Sequence, residues 1–291
     1  MKNKILIIGG DSRLAKELKK KLKKKKINFI ATSRRSKKNY LDFKKIKDFK
    51  IPKNITCCII LGGITDYNEC ENNKIKTRKI NTINIPKLAI KILSKKIFLC
   101  YVSSNTVLNY KFPANENKKV NPKFEYALQK SKVEKKLLDF VRLKKLNEYL
   151  SILRLTKNVC QNTKPFKIWI NQIKNKKNIV AFDDLFFSPI LFENSSDILL
   201  KIIEQKKGGI FHLSNKENLN YYNFGKKLLR YLGSKNKVIK KSSKDYGLNL
   251  LYKHNISSLS MNYTNQKLKV NYVKLMEIFQ FFERKINEKK N

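Results

Sequence analysis

The sequence predicts a doubly wound α/β protein: a parallel sheet with helices on both faces, followed by a smaller C-terminal α/β lobe. Short apolar runs rich in Ile, Val and Leu alternate with amphipathic stretches, which is typical of strand–helix–strand units. From residue 160 onward the elements become shorter. We therefore expect a first domain at 1–159 and a smaller lobe at 160–291, some of whose segments cross back to the first domain.

The N-terminal unit has the form of a Rossmann-type dinucleotide site. After the apolar run at 4–9, Leu14, Leu18 and Leu22 are spaced four apart, which predicts an amphipathic helix. The turn between them, GGDSRLA, brings backbone N–H groups and a helix N-terminus against a pyrophosphate. The cofactor-binding residues expected from this unit are Gly9, Ser12, Arg13 and Leu14.

The next two strands complete the expected cofactor site. The strand INFIATS ends in Ser33, Arg34 and Arg35, with no carboxylate beside them. In this fold an acid at that place accepts the ribose hydroxyls of NAD, whereas an Arg accommodates the 2′-phosphate of NADP. The pair favours NADP, with NAD and an ordinary basic surface pair as alternatives. A third strand, ITCCIILGG, ends in Gly62 and Gly63, as expected where backbone passes close to a cofactor.

The stretch from 102 to 132 carries the candidate catalytic residues. A buried strand ends in two serines, the second of which is Ser104, and Tyr126 and Lys130 follow with a spacing of four. On a helix this spacing puts both side chains on one face, so the ammonium should lower the pKa of the phenol. The chain contains five Tyr-x-x-x-Lys pairs, and it is the serine strand end and Pro122 ahead of a helix that single out this one.

These segments resemble the extended short-chain dehydrogenase/reductases, and among them the dTDP-4-dehydrorhamnose reductases and related nucleotide-sugar enzymes. VSSNTVL resembles the family's Ser-Thr-Asp-Tyr-Val-Phe strand end. PKFEYALQKSKVE resembles its Pro-x-Asn-x-Tyr-Gly-x-Ser-Lys-x-x-x-Glu helix start. The departures are Ser104 for Thr, Asn105 for Asp, Thr106 for Tyr and Ala127 for Gly.

Further segments follow in the family's order. TDYNECENNKIKTRKIN resembles a Thr-x-Val-Asp-x-x-Glu segment followed by a helix with a structural Asn, and its matching positions are Thr65, Asp66, Glu71 and Asn81. A helix cap would explain Asp66 equally well. The resemblance places Asp42 beside the adenine, Arg154 at a strand end and His212 as a structural strand residue.

The resemblance implies NADP-linked reduction of, or epimerisation through, a keto group on a nucleotide-activated sugar in surface polysaccharide biosynthesis. Tyr126 would protonate the developing alkoxide and Ser104 would bind the carbonyl oxygen, while Lys130 would also hold the nicotinamide ribose. A non-catalytic NADP-binding regulatory subunit is the alternative, because Ser12 and Ala15 stand where the family's Gly-x-x-Gly-x-x-Gly pattern has its second and third glycines, and Thr106 also departs from the family's motif. The nucleotide sugar is the expected partner. The sequence leaves the oligomeric state open, with a homodimer as one alternative.

Composition limits the remaining function classes. The net charge of +44 comes from 58 Lys and only 8 Arg, with 33 Asn, which favours compositional drift over specific nucleic-acid binding. The sequence contains no apolar run of 18 residues, so we expect no membrane-spanning helix. The five cysteines lack metal-ligand spacing and several lie in apolar runs, so we expect no metal and a reducing, cytoplasmic location.

Overall fold

The core of the molecule is a six-stranded sheet in which all strands run parallel. The computed structural model describes residues 4–36, 39–245, 252–253 and 255–288. Numbered along the chain, the strands lie in the order β2 (Phe29–Ala31), β1 (Lys4–Ile8), β3 (Ile55–Ile60), β4 (Phe98–Ser104), β5 (Leu150–Leu155) and β10 (Gly209–Leu213). The chain moves outward from β1 to β2 and then crosses to β3 on the other side. This reversal confirms the predicted doubly wound fold class and creates a crevice at the carboxyl ends of β1 and β3.

Helices cover both faces of the sheet because both faces are apolar. Alternate strand residues point to opposite sides, so Ile5 and Ile7 pack with one helix layer, whereas Leu6 and Ile8 pack with the other. The first layer contains α1 (Arg13–Lys24) and α7 (Phe192–Gln205), and the second contains α4 (Ile85–Leu93) and α5 (Glu125–Leu143).

A run of short helices joins β3 to α4. It consists of α2 (Tyr67–Asn72), α3 (Lys74–Arg78) and a π-helical segment, Lys79–Asn84. Single 3₁₀ turns at Ile46–Asp48, Asn105–Val107 and Asn147–Tyr149 complete the connections of this half.

The smaller lobe is built from strand pairs packed on helices. The pairs are β6 (Lys157–Val159) with β9 (Pro189–Leu191), β7 (Ile179–Phe182) with β12 (Val238–Lys241), and β8 (Phe186–Phe187) with β11 (Leu219–Asn220). Its helices are α6 (Phe166–Lys174), α8 (Tyr221–Tyr231), α9 (Asn262–Leu268) and α10 (Leu275–Asn287). Phe166 anchors the lobe, with ring neighbours that include Trp169, Phe187, Phe224 and Phe282.

One part of the second half returns to the first. After β9 the chain forms α7, which packs on α1, and then β10, which pairs with β5. Within the described residues, no helix combines the length and apolar character needed to span a bilayer. The division at 159/160 itself stays a prediction.

Candidate active site

Ser104 is the last residue of β4 and begins the 3₁₀ turn that follows. Its hydroxyl oxygen accepts hydrogen bonds from the backbone N–H of Thr106 at 3.2 Å and from the Thr106 hydroxyl at 3.0 Å. Thr106 stands where the family motif has Tyr, and in this structure it holds the Ser104 hydroxyl in place. The Ser104 hydroxyl also donates to Oδ1 of the buried Asn105 at 3.4 Å, and the amide nitrogen of Asn105 donates to Ser257.

Tyr126 lies in the first turn of α5 and is only 6% exposed. Its hydroxyl shares a hydrogen bond with Ser104, so the strand end and the helix meet as predicted. Burial raises the pKa of Tyr126, and the hydrogen bond with Ser104 offsets only part of this effect. The phenol is therefore protonated at neutral pH, which is the form that donates a proton.

Lys130 lies one helical turn after Tyr126. Its Nζ donates to the carbonyl oxygen of Val102 at 2.9 Å and lies 4.7 Å from the ring centroid of Tyr101. Burial lowers the pKa of Lys130 to about 8, although Glu134 raises it. The Tyr126 ring centroid is 5.9 Å away. The expectation that Lys130 lowers the Tyr126 pKa is not met, because burial dominates and the ammonium is directed at Val102.

Aromatic rings wall the space beside Tyr126. The ring centroid of Tyr67, which is 44% exposed, lies 5.0 Å from that of Tyr126 and 4.8 Å from that of Phe124. Phe124 in turn stacks on Tyr252 at 5.3 Å. Tyr67 therefore presents an aromatic surface to solvent directly beside the candidate proton donor.

A cleft of about 530 Å³ opens at the switch point between β1 and β3, within the size range of cofactor sites. Seven predicted cofactor residues line it: Gly9, Ser12, Arg34, Arg35, Asp42, Gly62 and Gly63. Gly9 has φ +88°, and a Cβ there would lie 2.6 Å from the backbone N of Gly62. Only glycine permits this close approach of the turns after β1 and β3.

The start of α1 suits a phosphate. Ser12 caps the helix by accepting from the Ala15 N–H at 3.1 Å, and the first turn contains no acidic side chain. The two other residues predicted from this turn contribute no side chain to the cleft. Leu14 is buried in the core, and the Arg13 guanidinium contacts Cys160 Sγ at 3.8 Å. Their backbone N–H groups remain available at the helix start.

A carboxylate does lie near the end of β2. Asp11 accepts from the Ser33 hydroxyl at 3.0 Å and from the Arg34 N–H at 3.3 Å. The sequence order hid this approach, because Asp11 belongs to the first turn of the chain. The side chains of Arg34 and Arg35 are exposed, whereas Asp42 is partly buried and accepts from a backbone N–H of its own loop.

Several matched residues have structural roles. Arg154 and Glu134 form a pair in which each is 2% exposed, with Nη2 and Oε2 2.7 Å apart. His212 lies 3.4 Å from Arg154, and burial lowers the pKa of His212 to about 3, so it is a neutral strand residue as expected. Asp66 accepts from the Glu69 N–H at 2.8 Å and caps α2, which matches the simpler of its two interpretations. No group of three or more His, Cys, Asp and Glu able to hold a metal occurs among the described residues.

Two residues at this site were missed by sequence reasoning. Tyr67 follows Asp66 in a segment that was matched only through its polar residues. Gln129 stands where the Tyr-Gly-x-Ser-Lys motif has Ser, and this departure is the signal in the sequence that could have identified it. Its side chain is 1% exposed and forms hydrogen bonds with Asn81, Thr77 and Glu125.

Comparison with known proteins supports the family resemblance. The family model described as RmlD substrate binding domain matches residues 2–275. No match was found among the curated proteins. Among solved structures, a dTDP-4-dehydrorhamnose reductase from Clostridium acetobutylicum is similar at 24% identity and a TM-score of 0.79, over 97% of this chain and 99% of that one.

Two further structures show the same fold. A dTDP-4-dehydrorhamnose reductase from Bacillus anthracis, in complex with NADP, matches at 19% identity and a TM-score of 0.80, over 97% of this chain and 99% of that one. A UDP-glucose 4-epimerase from Thermotoga maritima, with UDP-glucose, matches at 15% identity and a TM-score of 0.76, over 97% and 98% of the two chains. The family match over residues 2–275 confirms the predicted resemblance, and these structures confirm the fold.

Proposed function

The chain belongs to the RmlD substrate binding domain family, and on this premise we propose that it is an NADPH-dependent reductase of a keto group on a nucleotide-activated sugar. The observation that carries the proposal is the meeting of Ser104 and Tyr126 at the carboxyl end of β4, with Lys130 on the same helix. Similarity to dTDP-4-dehydrorhamnose reductases, one of them in complex with NADP, supports this substrate class and cofactor.

The residues divide the chemistry among them. NADPH bound in the cleft would supply a hydride to the carbonyl carbon. Tyr126 would donate its proton to the oxygen that becomes an alkoxide, and its raised pKa keeps the proton on the phenol until that charge develops. Ser104 would hydrogen-bond the same oxygen. Lys130 uses one of its three N–H donors on Val102, and the others are available to ribose hydroxyls.

Arg34 and Arg35 support NADP as the cofactor. Both side chains are exposed at the rim of the cleft, where a 2′-phosphate would add two negative charges. The Asp11 carboxylate near them is already engaged by Ser33 and the Arg34 N–H. We further assign the activity to surface polysaccharide biosynthesis and to the cytoplasm, where the five cysteines, all free, would stay reduced.

The test is the oxidation of NADPH in the presence of a panel of dTDP- and UDP-linked keto sugars, followed by the absorbance of the nicotinamide. Tyr126→Phe keeps the ring and removes the proton, so the rate should fall by about 10² or more while NADPH affinity stays nearly unchanged. Tyr222→Phe is the matched control, because Lys226 Nζ lies 5.5 Å from the centroid of the Tyr222 ring and neither residue lines the cofactor cleft.

Two outcomes would contradict the proposal. If NADPH binds, no sugar of the panel is reduced or epimerised, and Tyr126→Phe changes nothing measurable in cells, the non-catalytic regulatory subunit replaces the enzyme. If a sugar is interconverted without net NADPH consumption, the protein is an epimerase that passes through the same keto group.

A further inference from the structure

Gln129 lies on the catalytic helix between Tyr126 and Lys130 and is buried at 1% exposure. Every hydrogen-bonding group of its side-chain amide is engaged. Nε2 donates to the Thr77 hydroxyl at 2.9 Å and to Glu125 Oε1 at 2.8 Å, and Oε1 accepts from Asn81 Nδ2 at 2.7 Å. Such a buried, fully satisfied amide fixes the relative position of the elements that it joins.

The network extends from Gln129 to the cofactor cleft. Asn81 accepts from the Ile64 N–H and donates to the Ile64 carbonyl, each at 2.9 Å. Ile64 directly follows Gly63, which lines the cleft, and it packs against the cluster that contains Tyr126. Gln129 therefore connects the helix that carries the proton donor to the turn at the end of β3.

The other end of the network is anchored by an ion pair. Glu125, which receives one hydrogen bond from Gln129, is bound by Arg78 through two bonds of 2.7 and 2.6 Å. Thr77 and Arg78 lie in α3, and Asn81 lies in the π-helical segment that follows. A Ser at position 129, as in the quoted motif, would be too short to reach both Thr77 and Asn81.

We propose that Gln129 is a positioning residue that sets the distance between Tyr126 and the cleft turn at Gly63 and Ile64. This deepens the proposed function, because the hydride donor and the proton donor must reach one carbonyl group from these two elements. A misplacement of about 1 Å in such a site lowers the rate by up to ~10²-fold. The residue acts through its neighbours and touches neither substrate nor cofactor.

Two substitutions test the network. Gln129→Met keeps the length and removes all of the hydrogen bonds, whereas Gln129→Glu keeps the shape but places a carboxylate against Glu125. When its carboxyl is protonated, Glu has one O–H donor and can replace one of the two hydrogen bonds that the amide donates, whereas the ionised carboxylate replaces neither, so the defect of Gln129→Glu should grow as pH rises. Gln172→Glu, the same change on α6 in the smaller lobe, is the matched control.

The first readout needs no turnover. Hydrogen exchange at the Ile64 amide should accelerate at least 10-fold in Gln129→Met, and the Kd for NADPH should rise, with neither change in Gln172→Glu. In turnover of dTDP-4-dehydrorhamnose, kcat should fall about 10-fold with KM changed less than 2-fold. For Gln129→Glu, the ratio of wild-type to variant kcat should increase from pH 5.5 to pH 8.

The outcomes separate this inference from the proposed function. Unchanged Ile64 exchange and NADPH affinity in both variants would overturn it, as would a kcat loss in Gln129→Glu that does not vary with pH. If wild-type protein reduces no sugar, the proposed function fails, and the exchange and affinity measurements still decide the role of Gln129. If Gln129→Met does not fold, the kcat of Gln129→Glu relative to wild type at pH 5.5 and at pH 8 still tests the inference.

Discussion

Replacement of Lys130 by Met should abolish activity and yet stabilise the protein at neutral pH. Burial lowers the pKa of Lys130 from 10.5 to about 8, which means that the fold disfavours the charge that it contains. Between pH 8 and pH 10.5 the unfolded chain holds a proton that the folded chain has released. Wild-type stability attributable to this residue therefore rises with pH across that window and is lowest below pH 8.

The magnitude follows from the pKa change. At about 1.4 kcal/mol per pKa unit, the buried charge costs about 3 kcal/mol at pH 7. Methionine keeps an apolar stem but loses the 2.9 Å bond to Val102 and the contact with the Tyr101 ring, which contribute about 1 kcal/mol or less each. We therefore expect Lys130→Met to be more stable than wild type by about 1–2 kcal/mol at pH 7.

Urea unfolding of both proteins at pH 7 and pH 10 measures this difference. The advantage of the variant should vanish or reverse by pH 10, because folded Lys130 has by then released its proton and the cost of the buried charge has fallen below about 1 kcal/mol. Other titrating groups contribute equally to both proteins. Lys132→Met, at an exposed position of the same helix, should show no such pH dependence. A variant less stable than wild type at pH 7, or a difference that is constant from pH 7 to pH 10, would refute the reasoning.

Three other predictions concern charge. Replacing Arg34 and Arg35 by Ala should weaken NADPH binding and spare NADH, and equal affinities of the unmodified protein for the two cofactors would contradict the assignment to NADP. Glu134→Leu should lower the free energy of unfolding by about 3–5 kcal/mol because it leaves the buried Arg154 without its partner, and adding Arg154→Met should recover part of that loss. DNA binding by the +44 chain should disappear near physiological salt in a titration, whereas a sequence-selective complex that survives would disprove compositional drift.

Apolar periodicity was sufficient to predict most of the fold. The run ITCCIILGG became β3, and the spacing of Leu14, Leu18 and Leu22 became the buried face of α1, because each buries a continuous apolar surface. The π-helical segment at Lys79–Asn84 could not be predicted, since it is a change in backbone hydrogen bonding that leaves the side-chain pattern almost intact. INFIATS formed only a three-residue strand at the sheet edge, where one neighbour is missing.

The sequence was sufficient to predict that Ser104 and Tyr126 meet, but not the electrostatics around them. Tyr126 lies close to Ser104 because the fold fixes where β4 ends and where α5 begins. The direction of the Lys130 ammonium and the cost of burying it depend on Val102 and on the surrounding core, which no spacing rule encodes. The approach of Asp11 to Ser33 is equally non-local, since it depends on how the β1 and β2 ends twist past each other.

The return of β10 to the edge of the sheet bears on synthesis of the chain. On the ribosome, the first five strands emerge well before Gly209–Leu213, and until then β5 has an open, apolar edge. The nascent cofactor half is therefore most prone to aggregation during that interval and gains its full protection only late in translation. We therefore expect a fragment that ends near residue 159 to be less soluble than the whole chain, because it lacks β10, which pairs with β5, and α7, which packs on α1.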